Sequence, residues 1–233
     1  MSETVLSPDS TTSPAGAAPA KLGLRERSKL DKRRRIKQAA REMFLEKGYD
    51  AATTREIAER ADVAIGTLFV YAKDKRDLLM LIINDDLDQI TDDLSETPKS
   101  GTLIDQLTNF FRRRYQYWSS EPRLSRPAIQ ETFDFLSRAT AQGPETMRFY
   151  ARRGRTMDMV SAIIQAKQDA GRICSAYPAQ EIASLILTIY MTEVRRWING
   201  NEHPDMETGV AHLRKLLSIA LCGVKPGEGE AEA

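Results

Sequence analysis

From Leu30 almost to its end the chain keeps a helical rhythm, with prolines and glycines where helices begin and stop. Pro144, Pro178 and Pro204 stand near three starts, while Gly171, Gly200 and Gly223 follow three ends. No period-two alternation and no two-residue hairpin turn interrupts the pattern. An all-α fold of about nine helices is therefore expected.

Several boundaries follow from caps. Asp31 precedes a segment in which Ile36, Ala40, Met43, Phe44 and Lys47 share helical spacing, and Gly48 ends it. Thr53-Thr54-Arg55-Glu56 fits a capping box, with Thr53 as N-cap and Glu56 three residues on. A very short helix follows Val63, and Asp74 caps a longer one carrying Leu78, Leu81, Ile82 and Leu87. Thr97-Pro98-Lys99-Ser100-Gly101 is the clearest break, after which helices are expected over 102–119, 125–141, 144–170, 179–199 and 205–222. The chain thus divides into a flexible basic-ended N-terminal arm (1–28), a three-helix helix-turn-helix unit (29–78), a helical body (79–223) and a disordered acidic tail (224–233).

Hydrophobic residues make up 41% of the 233 and charged residues 29%, a globular balance. No apolar run reaches the roughly 18–20 residues of a membrane helix, and Met1 to Ala20 lacks the apolar core of a secretory signal. A cytoplasmic protein without membrane association is expected. Cys174 and Cys222 read as ordinary thiols, and His203 and His212 have no metal-ligand spacing, so neither metal nor cofactor is expected. The net charge of +1 is unevenly spread. Lys21 to Lys47 holds eleven Lys/Arg against four Asp/Glu, a basic front suited to a polyanion.

Thr53 to Ala72, TTREIAERADVAIGTLFVYA, carries the function. Two short helices are joined by a tight turn so that the second projects. Small Ala58 lets the helix axes approach, while Ile57, Ala61, Val63, Leu68 and Ala72 form a minimal apolar seam. Asp62 falls where the turn needs a left-handed backbone. The second helix turns outward Ile65, Gly66, Thr67, Val70 and Tyr71, a face awkward in water but suited to a major groove with its thymine methyls.

The stretch IKQAAREMFLEKGYDAATTREIAERADVAIGTLFVYAKDKRDLL, Ile36 to Leu79, strongly resembles the TetR/AcrR family of bacterial helix-turn-helix transcriptional regulators. The resemblance implies a DNA-binding unit joined to a C-terminal ligand-binding and dimerisation domain. It implies DNA contacts from Thr53, Thr54 and Arg55 at the first motif helix. Ile65, Gly66 and Thr67 would enter the groove first, with Phe69 and Val70 alongside and Tyr71 and Lys75 as phosphate anchors. Ala64 and Asp62 depart from the family's frequent Ser/Thr and Gly, leaving the recognition helix without a side-chain cap and a carboxylate near DNA. Arg25, Arg27, Lys29, Lys32, Arg33, Arg34 and Arg35 form a second candidate contact: an arm on the backbone or minor groove, or a charged helix start adding non-specific attraction.

In the body, Leu185, Ile186, Ile189, Tyr190, Val194 and Trp197, with Val210, Leu213 and Leu217, leave only narrow polar strips on the last two helices. A partner subunit or a monomer core can cover them; the family pairs these helices as a four-helix bundle. The resemblance also implies a small-molecule pocket in the middle helices. Its candidate residues are Phe110, Phe111, Tyr115, Trp118, Phe133, Phe149, Tyr150 and Met157, which plain core packing explains equally. Arg112, Arg113, Arg114, Arg152, Arg153 and Arg155 either meet an acidic ligand or are solvated and salt-bridged.

The leading expectation is a repressor that binds a palindromic double-stranded operator as a homodimer and is released by an unknown small-molecule effector. A transcriptional activator or ligand-independent regulator of the same fold is the alternative. An enzyme is not expected, since no nucleophile–base pair, phosphate loop or metal constellation stands in the chain. A non-specific nucleoid protein would bind any duplex equally.

Overall fold

The computed structural model describes residues 23–91, 100–134, 143–200 and 202–221, which form nine helices and no strand. Residues 1–22, the acidic tail, Cys222, Gly223 and the end of the helix expected to reach 141 lie outside the described residues.

The first helix, α1 (Leu24–Lys47), starts ahead of the expected cap at Asp31. Asp31 lies inside it because its carboxylate pairs with Arg34 at 2.7 Å and Arg35 at 3.3 Å, three and four residues on. Residues 24–28 of the expected arm are therefore helical. Gly48 closes α1 at φ 83°, its amide donating to the Phe44 carbonyl at 3.1 Å. A complete capping box at Thr53 starts α2 (Thr54–Arg60), and hydrogen bonds from Lys47 and Thr53 hold the Glu56 carboxyl down to about 2, so the box stays ionised. Asp62, at φ 51°, takes the expected left-handed turn conformation into α3 (Ile65–Tyr71), whose N-cap Ala64 supplies no side-chain bond. Asp74 caps α4 (Lys75–Thr91) by accepting from the Asp77 amide at 2.8 Å.

The body comprises α5 (Leu103–Ser120), α6 (Pro122–Asp134), α7 (Pro144–Asp169), α8 (Ala179–Gly200) and α9 (Met206–Leu221). The sixth helix begins three residues before the expected 125, since proline is tolerated in a first helical turn. From the motif, α4 runs into the body and packs on both α1 and α7.

An aromatic seam joins α5, α8 and α9. Phe111 stacks on Tyr190 at 4.3 Å, Tyr115 lies 4.7 Å from Trp197, and the Trp118 indole donates to the Tyr190 hydroxyl at 3.0 Å. Gly209 lets α9 reach this seam: a Cβ there would lie 2.6 Å from Tyr115 Cε1 and 2.7 Å from Trp197 Nε1. The packing gained offsets the roughly 1 kcal/mol that glycine costs inside a helix.

Candidate nucleic-acid interface and effector cavity

The third helix turns Leu68 fully inward and leaves Ile65, Gly66, Phe69 and Val70 on the outer face, Val70 at 75% exposure. Exposed apolar residues in a row on a seven-residue helix gain nothing in water, and they suit a groove presenting methyl groups and base edges. A Cβ at Gly66 would meet nothing within 4 Å, so this point of the helix is open to close approach. Thr67 is half-buried, while Thr54 and Arg55 lie half-buried and exposed at the start of α2.

Three expected contacts have roles inside the domain. The Thr53 hydroxyl both donates to Glu56 at 2.8 Å and accepts from its amide at 3.3 Å, which makes it a cap. Tyr71 donates its hydroxyl to the Lys29 carbonyl at 3.2 Å, tying the end of α3 to α1. Lys75 donates to the Asp50 carbonyl at 2.8 Å and lies 4.8 Å from the centre of the Tyr49 ring, with further ammonium hydrogens to offer. Asp62 is solvent-facing and pairs with Arg35 at 3.3 Å, which partly neutralises the carboxylate beside the motif.

The basic stretch divides. Arg25, Arg27 and Lys29 are exposed and Lys32 is half-buried, none with an ion-pair partner among the described residues. Arg34 and Arg35 pair with Asp31. Arg33 leaves the candidate arm altogether, because it grips both Asp85 oxygens at 2.7 and 2.8 Å and Glu145 at 3.1 Å, between α1, α4 and α7. Burial raises the Asp85 pKa, but hydrogen bonds from Arg33 and Lys37 outweigh it and hold this carboxyl well below its usual range. Replacing Arg25 and Lys29 with alanine is expected to reduce the slope of log K against log salt by about 0.9 for each phosphate that these side chains neutralise. An unchanged slope in DNA titrations would remove this stretch from the interface.

In the body, a cavity opens among α4, α5, α7 and α8. Of the expected residues, Trp118, Phe149 and Met157 line it, joined by Leu87, Leu187 and Met191. Phe110, Phe111 and Tyr115 are core instead, buried in or beside the aromatic seam. Tyr150 is also structural: it accepts from Arg76 at 2.9 Å and donates to the Glu131 carbonyl at 3.3 Å. The Phe133 side chain lies outside the described residues. Arg114, Arg152, Arg153 and Arg155 also reach the wall, as do Tyr190 and Val194.

Most of the expected dimer surface is interior to the protomer. Ile186, Tyr190, Val194, Trp197, Val210, Leu213 and Leu217 are all buried at 4% exposure or less, because their stripe faces the aromatic seam and not the outside. Leu185 remains exposed and Ile189 half-buried; on α9, Ile219 is exposed at 62% and Leu216 half-buried.

A polar path links the cavity wall to α1. Arg152 donates to the Asn84 carbonyl at 2.7 Å and its side-chain oxygen at 3.1 Å, and also pairs with Asp88. Asn84 donates to the Glu145 carbonyl at 2.8 Å and carboxylate at 2.9 Å, and Glu145 meets Arg33. Nearer the motif, fully buried Asp77 accepts from the Thr146 amide at 2.7 Å, the Thr146 hydroxyl at 3.0 Å and the Lys73 amide at 3.1 Å. This carboxylate joins the turn after α3 to the start of α7. A Cβ at Gly143 would sit 2.2 Å from Asp77 Oδ2, so only glycine fits beside it.

A three-helix unit with a projecting α3, set by α4 on a cavity-bearing helical body, defines a helix-turn-helix transcriptional regulator. Residues 36–81 match the family model described as bacterial regulatory proteins, tetR family. The fatty acid metabolism regulator protein of Bacillus subtilis is 33% identical over 199 residues, 85% of this chain and 98% of that protein. The repressor KstR of Mycolicibacterium smegmatis is 26% identical over 168 residues, 72% of this chain and 77% of its own. Among solved structures, Thermus thermophilus FadR, a TetR-family repressor in complex with lauroyl-CoA, superposes with a TM-score of 0.64 at 22% identity, covering 86% of this chain and 99% of that one. The chain belongs to the TetR family of bacterial transcriptional regulators.

Proposed function

We propose that the protein is a repressor that binds a palindromic operator as a homodimer in the cytoplasm and leaves it when a long-chain acyl ligand enters the body. Support for the acyl class comes from the mostly apolar cavity wall, with exposed Arg153 and Arg155 able to meet a phosphate-bearing head. The B. subtilis relative is named for fatty acid metabolism, and the Thermus structure holds lauroyl-CoA. On the DNA side, Ile65, Gly66, Thr67, Phe69 and Val70 meet the groove, with Thr54, Arg55 and Lys75 toward phosphates. A helix-turn-helix reads few base pairs, so two copies about one helical turn apart supply useful specificity. The outward apolar residues Leu185, Ile189, Leu216 and Ile219 form the core of the pairing face.

The observation that carries release by a ligand is the path from Arg152 in the cavity wall through Asn84 and Glu145 to Arg33 of α1. A ligand that binds best when this path is rearranged shifts the population away from the DNA-competent spacing, by as much as its affinity differs between the two states. The test is fluorescence anisotropy of a labelled operator duplex titrated with lauroyl-CoA. Release at micromolar ligand is expected; anisotropy unaffected by lauroyl-CoA and by free fatty acid refutes acyl control. A reporter assay with and without the gene separates repressor from activator.

A further inference from the structure

We infer that the deep wall of the cavity is a carboxylate-binding subsite built by Arg114, Tyr190 and Thr156, so that the effector carries an anionic oxygen pair at the end it buries. The inference rests on the acyl reading above and narrows it.

Arg114 projects from α5 into the interior, where its planar group lies 4.3 Å from the centre of the Phe110 ring. Its hydrogen bonds are two long ones, to the Phe110 carbonyl at 3.5 Å and the Thr156 hydroxyl at 3.4 Å. No carboxylate pairs with it among the described residues. The contrast with its neighbour is direct: Arg152 also reaches the wall, yet Asp88 and Asn84 hold it. Burial pulls the Arg114 pKa below the ordinary arginine value; Tyr190 beside it acts the other way and the Arg152 charge lowers it. A guanidinium offers five N–H donors, and this half-buried one faces the cavity without a counter-charge, which a ligand carboxylate would supply.

Two hydroxyls stand beside it with hydrogens to give. Tyr190 accepts from the Trp118 indole at 3.0 Å and directs its own hydrogen to no acceptor among the described residues. Thr156 accepts from Arg114 and likewise has no acceptor there. All three line the same cavity, whose apolar walls include Leu87, Ile129, Phe149, Met157 and Met191 and whose polar ones include Arg152, Arg153 and Arg155. Cationic and neutral donors converging in an apolar chamber recognise a carboxylate with an aliphatic body; an ester or alcohol of the same length leaves the charge unanswered.

That carboxylate has two sources, a free fatty acid entering head first or the far-end acid of a chain whose other end is a thioester. Isothermal titration of the full-length protein with paired probes separates them. One arm compares dodecanoate with 1-dodecanol; the other compares the mono-CoA thioester of dodecanedioic acid with lauroyl-CoA. Carboxylate binding about tenfold to a hundredfold tighter than its uncharged partner is expected in at least one arm, the size of a buried charge-assisted pair. In Arg114→Met that ratio should fall to about one, and Arg114→Lys should restore part of it. Should Arg114→Met fold poorly, Arg114→Gln is measured in its place, and the same fall in the ratio is expected. Lauroyl-CoA binding with no carboxylate preference in either arm overturns the subsite and leaves acyl control standing. A preference that survives Arg114→Met also overturns it, and failure of every probe to bind removes the acyl reading together with this one.

Discussion

Replacing Asp77 with alanine is expected to lower the unfolding free energy by about 3–5 kcal/mol, the largest stability effect of any single change at this site. The carboxylate is fully buried and accepts from the Lys73 amide and from the Thr146 amide and hydroxyl. Truncation removes the acceptor these three donors share, at about 1–3 kcal/mol for each bond lost, and water entering the vacated space recovers part of the loss. Asp77→Asn gives an intermediate loss, because its remaining oxygen can still serve Thr146 while its amide faces the Lys73 N–H. Urea denaturation at one fixed protomer concentration measures both, since a dimer's stability depends on concentration. A loss below about 1 kcal/mol for the alanine variant would mean that other interactions hold the motif and α7 together.

Val70→Glu is expected to weaken operator binding about a hundredfold or more while leaving stability within about 0.5 kcal/mol. At 75% exposure Val70 contributes little to the core. In the proposed complex the same side chain would face base edges between two phosphate rows. The substitution would then set a carboxylate between phosphates that repel it. Paired thermal melts and operator titrations read the two effects separately. Intact affinity with an intact fold would place the DNA elsewhere than on α3.

The DNA-binding unit was legible because its signals are local. The Thr53–Glu56 box, the left-handed Asp62 and the Asp74 cap are each decided within four residues, and each stands where its chemistry puts it. The start of α1 was not, since Asp31 is as good a cap as it is an intrahelical partner for Arg34 and Arg35. The dimer surface failed for a different reason: an apolar stripe on α8 records that something covers it, and spacing cannot say whether the cover is the same chain or a second copy. The aromatic seam covers Ile186, Tyr190 and Trp197 from within. Long-range partners were invisible altogether. Arg33 looked like one more base in a run until Asp85 and Glu145, 52 and 112 residues away, closed on it. Arg114 sits in the Arg112–Arg114 triplet with nothing in its local sequence to mark it as the one that reaches the cavity. Asp77 carried only the faint signal of an acid in the first turn of a helix already capped by Asp74.

Selection of bound duplexes from a random pool, run in parallel with wild-type protein and with Ile65 and Thr67 variants, tests the reading of DNA by α3 most directly. An inverted repeat with half-sites about one helical turn apart is expected for the wild type, with altered bases at the matching positions for the variants. No enriched sequence, or the same enriched sequence from wild type and variants alike, would contradict it.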